Sequence, residues 1–388
     1  MKTTTGLTVF LQQHALNYSN KALGLLCNQA SVERDLVHCL RHLDRVIRGA
    51  VVRLFSPQHG FWGEKQDNMV ESKNFTLEDG RQVYSLYAET RAPSTSMLEG
   101  LDAVLVDLPD VGTRVYTFAQ TLALFMKKAG ELSLPIIILD RPNPIGGVAL
   151  EGNILDEDMY SFVGLSKVPM RHGFTLAEYA LFINSALAMP CPLTVIPMWN
   201  WQRDMYFKDT ALPWVLPSPN MPSPTTAHIY PGAVLFEGTN VSEGRGTTKP
   251  FHLIGAPYLD AQKLCSDLSA LKLKGVAFRE ASFEPCFQKW ASQVCYGVEI
   301  FPLDKSFKPF LTGLSILEAI IKRYPKDFKL KEPPYEYEFV RRPLDLIIGR
   351  KKVTDELLAG KSAREISQDF NYELSSFAKR RQDFLLYA

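Results

Sequence analysis

Short apolar runs and amphipathic stretches alternate along the N-terminal half of the chain. Ala22–Cys27 is apolar and ends in Asn28-Gln29, and apolar positions at helical spacing follow at Val32, Leu36, Val37, Leu40 and Leu43. Val51–Phe55 is the next apolar run, so strand, helix and strand fall within the ~30-residue compass of a βαβ unit, which predicts a parallel sheet with right-handed crossovers. Ala103–Asp107 reads as a further strand, Tyr116–Lys128 as a helix and Ile136–Asp140 as another strand. A helix starts at Thr175, where Thr175 and Glu178 have capping-box spacing, and Leu193–Pro197 reads as the last strand.

The pattern then changes. Pro213–Pro231 holds too many prolines for a helix or central strand and is expected to run extended as a connection or cleft wall. A domain boundary near Pro224 follows, with residues 1–224 as a Rossmann-like, doubly wound α/β domain and 225–388 as a smaller α+β domain. In the second part Asp260–Leu273 and Gly313–Tyr324 read as helices, and Val276–Phe283 and Val294–Phe301 as strands. Helices are expected from about Thr354, with Ser362 and Glu365 at capping-box spacing.

Three of the expected strands run into polar loops. In an open parallel sheet such loops form the ligand crevice, so Gln58, His59, Glu64, Asp107, Asp110, Arg114, Asp140, Arg141 and Asn143 are expected to converge. Each has a plain alternative as a cap or a turn brace. The densest polar stretch is Phe236–Phe251, where Glu237, Asn240, Ser242, Glu243, Arg245, Thr247 and Lys249 are mixed with three glycines. Read as a loop that buries no core, it offers carboxylates for proton transfer, a guanidinium fork for an anion and glycines for close approach to a ligand. Asn220, in Pro217–Pro222, is a further partner.

Composition narrows the function. With 43 Lys+Arg against 42 Asp+Glu and a net charge of +1, no overall pull toward nucleic acid is evident. The 6 cysteines include no CxxC pair and read as buried free thiols in a reduced compartment. No run approaches the ~20 apolar residues of a membrane span. The chain as given reads as soluble and cytoplasmic, or periplasmic or secreted if a signal peptide has been removed. There is no GxGxxG after the first strand, no P-loop, no HExxH and no GxSxG, so neither nucleotide cofactor nor zinc-protease chemistry is indicated. His38 and His42, four apart, read as surface or packing residues rather than metal ligands. Carboxylates, amides and arginines with Trp62, Tyr116 and Tyr230 suit a polar, multi-hydroxyl ligand such as a sugar.

The series SPQHGFWGEKQD, DLPDVGTRVYTF, DRPNPIGG, EGN, RHGFTLAEYA, PSPNMP and YPGAVLFEGTNVSEGRGTTKPF spans most of the chain and resembles the exo-β-N-acetylmuramidase family. That resemblance implies a Rossmann-like domain followed by a smaller α/β domain with the cleft between them. It also implies release of N-acetylmuramic acid from the non-reducing end of peptidoglycan fragments without a nucleotide cofactor, the substrate being a small sugar or muropeptide. In this resemblance Gln58 stands before His59-Gly60 where members carry Glu, and Trp62 replaces a basic residue. Gln cannot store a proton, so the acid–base work falls to Glu64, Glu237 or Glu243, with His59 beside them. Arg245 is the first choice to meet the lactyl carboxylate of the muramyl group, with Arg114 and Arg171 in reserve; Arg171 and Asn240 complete the expected substrate contacts. Two rival readings are a non-catalytic muropeptide-binding protein and a metal-dependent hydrolase using His59, Asp107 and Asp110.

Overall fold

Alternating side chains make the central sheet two-faced. In the computed structural model, which describes residues 2–388, strand β1 (Leu23–Cys27) sends Leu23, Leu25 and Cys27 into one apolar cluster and Leu26 into another. The remaining strands of this sheet are β2 (Val51–Ser56), β3 (Phe75–Thr76), β4 (Gln82–Ser85), β5 (Ala103–Asp107) and β6 (Ile136–Leu139). After a hairpin of β7 (Glu151–Ile154) and β8 (Pro169–Arg171), β9 (Leu193–Ile196) closes the edge. The order is β3-β4-β2-β1-β5-β6-β9, all parallel except the β3–β4 pair. Counted in chain order, the parallel strands alone run 3-2-1-4-5-6, which is the order of a doubly wound sheet. Helices α1 (Gly6–Gln13) and α2 (Cys39–Val46) cover one face; after the single turn α3 (Thr95–Leu98), α4 (Thr117–Glu131) and α5 (Leu176–Asn184) cover the other.

The second half begins with α6 (Pro224–Ala233). It continues through β10 (Leu253–Ala256), α7 (Ala261–Ala270), β11 (Val276–Phe283), β12 (Cys295–Pro302) and α8 (Pro309–Arg323). Its sheet is antiparallel in the order β10-β12-β11. Four helices finish the chain: α9 (Pro343–Ile348), α10 (Lys351–Leu358), α11 (Ala363–Asp369) and α12 (Asn371–Arg380). Both expected capping boxes form, Thr175 with Glu178 and Ser362 with Glu365. One apolar cluster runs from Leu26 through α6 and α8 to Phe377, so the two halves share a core. The last residues return to the first half: Arg381 donates to the Gly147 carbonyl at 2.9 Å, and the Tyr387 hydroxyl donates to Asp140. Among the described residues no helix is long and apolar enough to cross a membrane.

Two expectations change. The helix anticipated through Val32–Leu43 starts only at Cys39, because side chains of the preceding segment cap their own backbone: Asn28 Oδ1 accepts from Ala30 N at 3.1 Å and Asp35 Oδ1 from Val37 N at 3.0 Å. The proline-rich stretch is extended only to Leu216 and then turns, Met221 N donating to the Ser218 carbonyl at 3.0 Å. Pro224 then occupies the first turn of α6, where its missing N–H costs nothing, and Pro231 is accommodated inside the helix.

α6 and α8 cross with their backbones in contact. A Cβ on Gly313 would lie 2.4 Å from the Gly232 carbonyl oxygen, and one on Gly232 would lie 1.9 Å from that of Pro309. α6 leads directly into Glu237, so this crossing sets where that carboxylate stands. Gly313→Ala is therefore expected to destabilise the fold by about 1–3 kcal/mol or more, seen as a lower urea midpoint at unchanged slope; an unchanged midpoint would show that the helices part freely.

Candidate active site

A polar cavity of about 460 Å³, counting its mouth, opens where the two halves meet. The first half supplies Gln58, His59 and Asn68 from the loop after β2, Tyr116 and Thr117 from the start of α4, and Ser218 and Asn220 from the proline-rich strap. The second half supplies Tyr230, Glu237, Arg245, Phe251, Tyr335 and Glu336.

Glu237 is held by Arg245 Nη2 at 2.6 Å and by the Tyr335 hydroxyl at 2.8 Å. Behind Arg245, Glu243 Oε1 faces its Nε at 3.4 Å, and Glu243 Oε2 meets Lys289 Nζ at 2.6 Å. That ammonium also donates to the carbonyls of Phe236, Thr239 and Val241, at 2.6, 3.1 and 2.8 Å. Lys289, Glu243, Arg245 and Glu237 thus form an alternating row of charges ending at the cavity. Burial pushes the Glu237 carboxyl up, but the guanidinium and its hydrogen bonds outweigh this and hold it below the ordinary carboxylate range. Arg245 Nη1 and the Tyr116 hydroxyl are buried without hydrogen-bond partners.

Glu336 is the second carboxyl of the cavity. Gln58 Nε2 donates to its Oε1 at 3.0 Å, and the Tyr87 hydroxyl donates to its Oε2. Here burial dominates, with Glu237 repelling from nearby, and the net displacement is upward. Glu336 and Tyr337 have φ of 47° and 64°, two successive non-glycine residues in the left-handed region. Backbone strain of this kind, about 1–3 kcal/mol per residue, is characteristic of functional sites. Arg91 clamps the segment, its guanidinium 3.8 Å from the Tyr337 ring centre and 4.5 Å from that of Tyr87. His59, also left-handed at φ 74°, donates Nδ1–H to the Lys65 carbonyl at 2.7 Å, and burial pushes its pKa down to about 4. It is therefore a neutral ring with Nε2 as an acceptor.

Of the residues expected from sequence, Gln58, His59, Tyr116, Asn220, Glu237 and Arg245 line the cavity. The others stand elsewhere. Glu64 is exposed, with its carboxylate against Gly60. Glu243 is the support of Arg245 rather than a cavity group. Arg114 spends its guanidinium on the carbonyls of Asn153, Val168, Ile347 and Ile348, which corrects its place as a ligand for the lactyl group. Arg171 is likewise buried on the Ile145 carbonyl and the Tyr206 hydroxyl. Asp107 is paired with Arg141 in the interior, Asp140 accepts from Ala177 N at 3.0 Å and from Tyr387, and Asn143 bridges Ile145 N and the Phe174 carbonyl. Asn240 ties Tyr258, Asp327 and Lys329 together. Asp110 lines a separate cavity under the strap, its pKa raised by burial to about 7. His59, Asp107 and Asp110 therefore do not converge, and the metal-hydrolase reading loses its ligand set.

Phe236–Phe251 is also not a solvated loop. Phe236, Val241 and Phe251 belong to the shared core, and Gly246, at φ 80°, turns against the Phe287 backbone and not toward the cavity. Sequence reasoning missed Glu336, Tyr335 and Lys289. The signal was slight: in PPYEYEF a carboxylate lies between tyrosines just after two prolines.

A doubly wound α/β scaffold with a buried, polar, two-carboxylate cavity suits a hydrolase of the glycosidase type. Residues 23–225 match the N-terminal region of the family described as exo-beta-N-acetylmuramidase NamZ, and residues 228–387 match its C-terminal region. The chain belongs to this exo-β-N-acetylmuramidase family. It is 39% identical to the peptidoglycan beta-N-acetylmuramidase NamZ of Bacillus subtilis (strain 168), over 100% of this chain and 92% of that protein. Two crystal structures of DUF1343 family proteins from Bacteroides fragilis NCTC 9343 are similar, each 29% identical over 100% of this chain. One has a TM-score of 0.91 and is covered over 100% of its length; the other has 0.78 and is covered over 99%.

Removing the ammonium from the charge row leaves Glu243 buried with only Arg245 to share. Lys289→Met is expected to cost about 3–5 kcal/mol, whereas Lys21→Met, at an exposed pair with Asp102, is expected to change stability by at most about 1 kcal/mol. Equal, small losses in chemical denaturation would show that the row is not a structural unit.

Proposed function

We propose that the protein releases N-acetylmuramic acid from the non-reducing end of peptidoglycan fragments, with Glu336 as proton donor and Glu237 as the ionised carboxylate facing the reacting sugar carbon. The observation that carries this reading is that the two carboxyls of one cavity are displaced in opposite directions, Glu336 upward by burial and Glu237 downward by Arg245. Glycosidic bonds break through an oxocarbenium-like transition state, so the leaving oxygen must gain a proton while the ring carbon gains a negative neighbour. A carboxyl whose pKa is raised and another whose pKa is lowered divide these two needs between them. Neutral His59 accepts from a sugar hydroxyl, and the free Tyr116 hydroxyl adds a donor. Membership of the family supports the substrate class, and the change from its N-terminal to its C-terminal region between residues 225 and 228 supports a division of the chain near Pro224 with the cavity at the junction.

Arg245 recognises the muramyl lactyl group in this scheme. Its fork is shared between Glu237 and Glu243, so it contributes the unpartnered Nη1–H alone and not a bidentate grip.

Glu336→Gln and Glu237→Gln are each expected to lower turnover about 10²–10⁴-fold with the fold retained. An aryl N-acetylmuramide with a good leaving group needs no proton, so it should restore much of the rate to Glu336→Gln and little to Glu237→Gln. The parent should lose activity as pH rises through the elevated Glu336 pKa and as pH falls through the depressed Glu237 pKa; Glu336→Gln should lack the first limb. Wild-type turnover in either variant would remove that residue from the chemistry.

A hydrogen bond to a charged group contributes about 1.5–3 kcal/mol, or ~10–150-fold. Arg245→Met is therefore expected to erode the preference for muramyl over glucosaminyl aryl glycosides by about that factor. The ratio cancels any common effect on Glu237, so an unchanged ratio would mean that Arg245 does not read the lactyl group.

A further inference from the structure

Beneath the cavity, on the other face of the sheet, Cys27 ends β1, and His38 and Cys39 begin α2. The two Sγ atoms and an imidazole nitrogen lie within 4.8 Å of one another, with Cys39 Sγ 3.9 Å from His38 Nδ1. Both thiols are fully buried. His38 Nε2 is 2.9 Å from the Asn28 carbonyl oxygen, to which it must donate. The proton is thereby fixed on Nε2, and the Nδ1 lone pair, 3.9 Å from the Cys39 sulfur, accepts from Leu40 N at 3.3 Å as the N-cap of α2, a bond that a metal at Nδ1 would replace. A ring nitrogen bound to a backbone carbonyl while its opposite nitrogen faces thiols is the outer-shell arrangement that orients metal-binding histidines. None of these three side chains takes part in the chemistry proposed above.

We propose that Cys27, His38 and Cys39 bind a thiophilic d10 cation of the Zn²⁺ type in a structural role. Two sulfurs and one imidazole select against Mg²⁺ and Ca²⁺, which need oxygen ligands. The charges balance: two S–H bonds break, two sulfur–metal bonds form, and two protons leave as one dication arrives. The nearest charged groups, Asp107 with Arg141 and Glu33 4.0 Å from that arginine, already compensate one another in part and are left unchanged. The ion would pin the Asn28–His38 turn to the sheet. Asn28 Nδ2 holds the Pro217 carbonyl at 2.9 Å, next to Ser218 of the cavity wall, so the bound ion would brace the strap as well.

Titration of the reduced full-length protein with Cd²⁺ and Zn²⁺ tests the site. One equivalent should bind, with sulfur-to-Cd²⁺ charge-transfer absorption, two protons released per ion and a raised Tm. Affinity should fall with pH, since protons compete for the sulfurs. Cys39→Ser should weaken binding by at least about a hundredfold, the upper end of what outer-shell changes alone cost. Cys286→Ser, at an exposed thiol, should bind like the parent. No uptake, uptake without proton release, uptake that follows Cys286, or closure of a Cys27–Cys39 disulfide in place of binding would each overturn the proposal. Should Cys39→Ser fail to fold, Cys27→Ser and the stoichiometry and proton count of the parent decide it.

Discussion

The row Lys289, Glu243, Arg245, Glu237 is the constraint on which the rest of the site depends. Each of these charges is withdrawn from water, at an effective cost of several kcal/mol per ion. The row is tolerable only because every charge is flanked by its opposite and the ammonium is surrounded by the carbonyls of Phe236, Thr239 and Val241. This requirement forces residues 236–246 to run through the interior between α6 and the C-terminal sheet. It also leaves one carboxylate, Glu237, ionised at the end that opens into the cavity.

The opposite wall is built on a different principle. Glu336 has no cation in direct contact; its partners are an amide and a phenol, Gln58 and Tyr87. Burial therefore sets the direction of its pKa shift, as it does not for Glu237. The backbone there is held in the left-handed region at both Glu336 and Tyr337 by a two-residue turn that Tyr335 and Glu338 close through reciprocal backbone hydrogen bonds of 2.9 Å, with Arg91 stacked on Tyr337 and Tyr87. One wall lowers a carboxyl pKa by pairing, and the other raises one by excluding water.

Much of the scaffold was legible because it is local. β1, β2, β5 and β6 are apolar runs of strand length, and Thr175 and Ser362 announce their helices through side-chain bonds three residues away. The site was less legible because its contacts are not local: Gln58 and Glu336 are 278 positions apart. No periodicity marks Glu336. Nor does any pattern distinguish Arg114 and Arg171, which satisfy buried carbonyls, from Arg245, which reaches the cavity. Polar residues after strands were read as one crevice, yet Asp107 with Arg141 and Asp140 with Tyr387 are internal bonds of the scaffold. The strap from Phe207 to Pro217 lies over the ends of β1, β5 and β6, where a doubly wound sheet ordinarily leaves its crevice open.

The return of Arg381 to Gly147 and of Tyr387 to Asp140 gives the fold a direction in time. A chain synthesised from its N-terminus exposes the β6 end of the sheet long before residues 381–387 leave the ribosome. Until then the Asp140 carboxylate lacks its phenol, and the Gly147 carbonyl lacks its guanidinium. The seam beside β6 is thus closed by the last residues to be made, and a chain cut short of Arg381 leaves both polar groups to water.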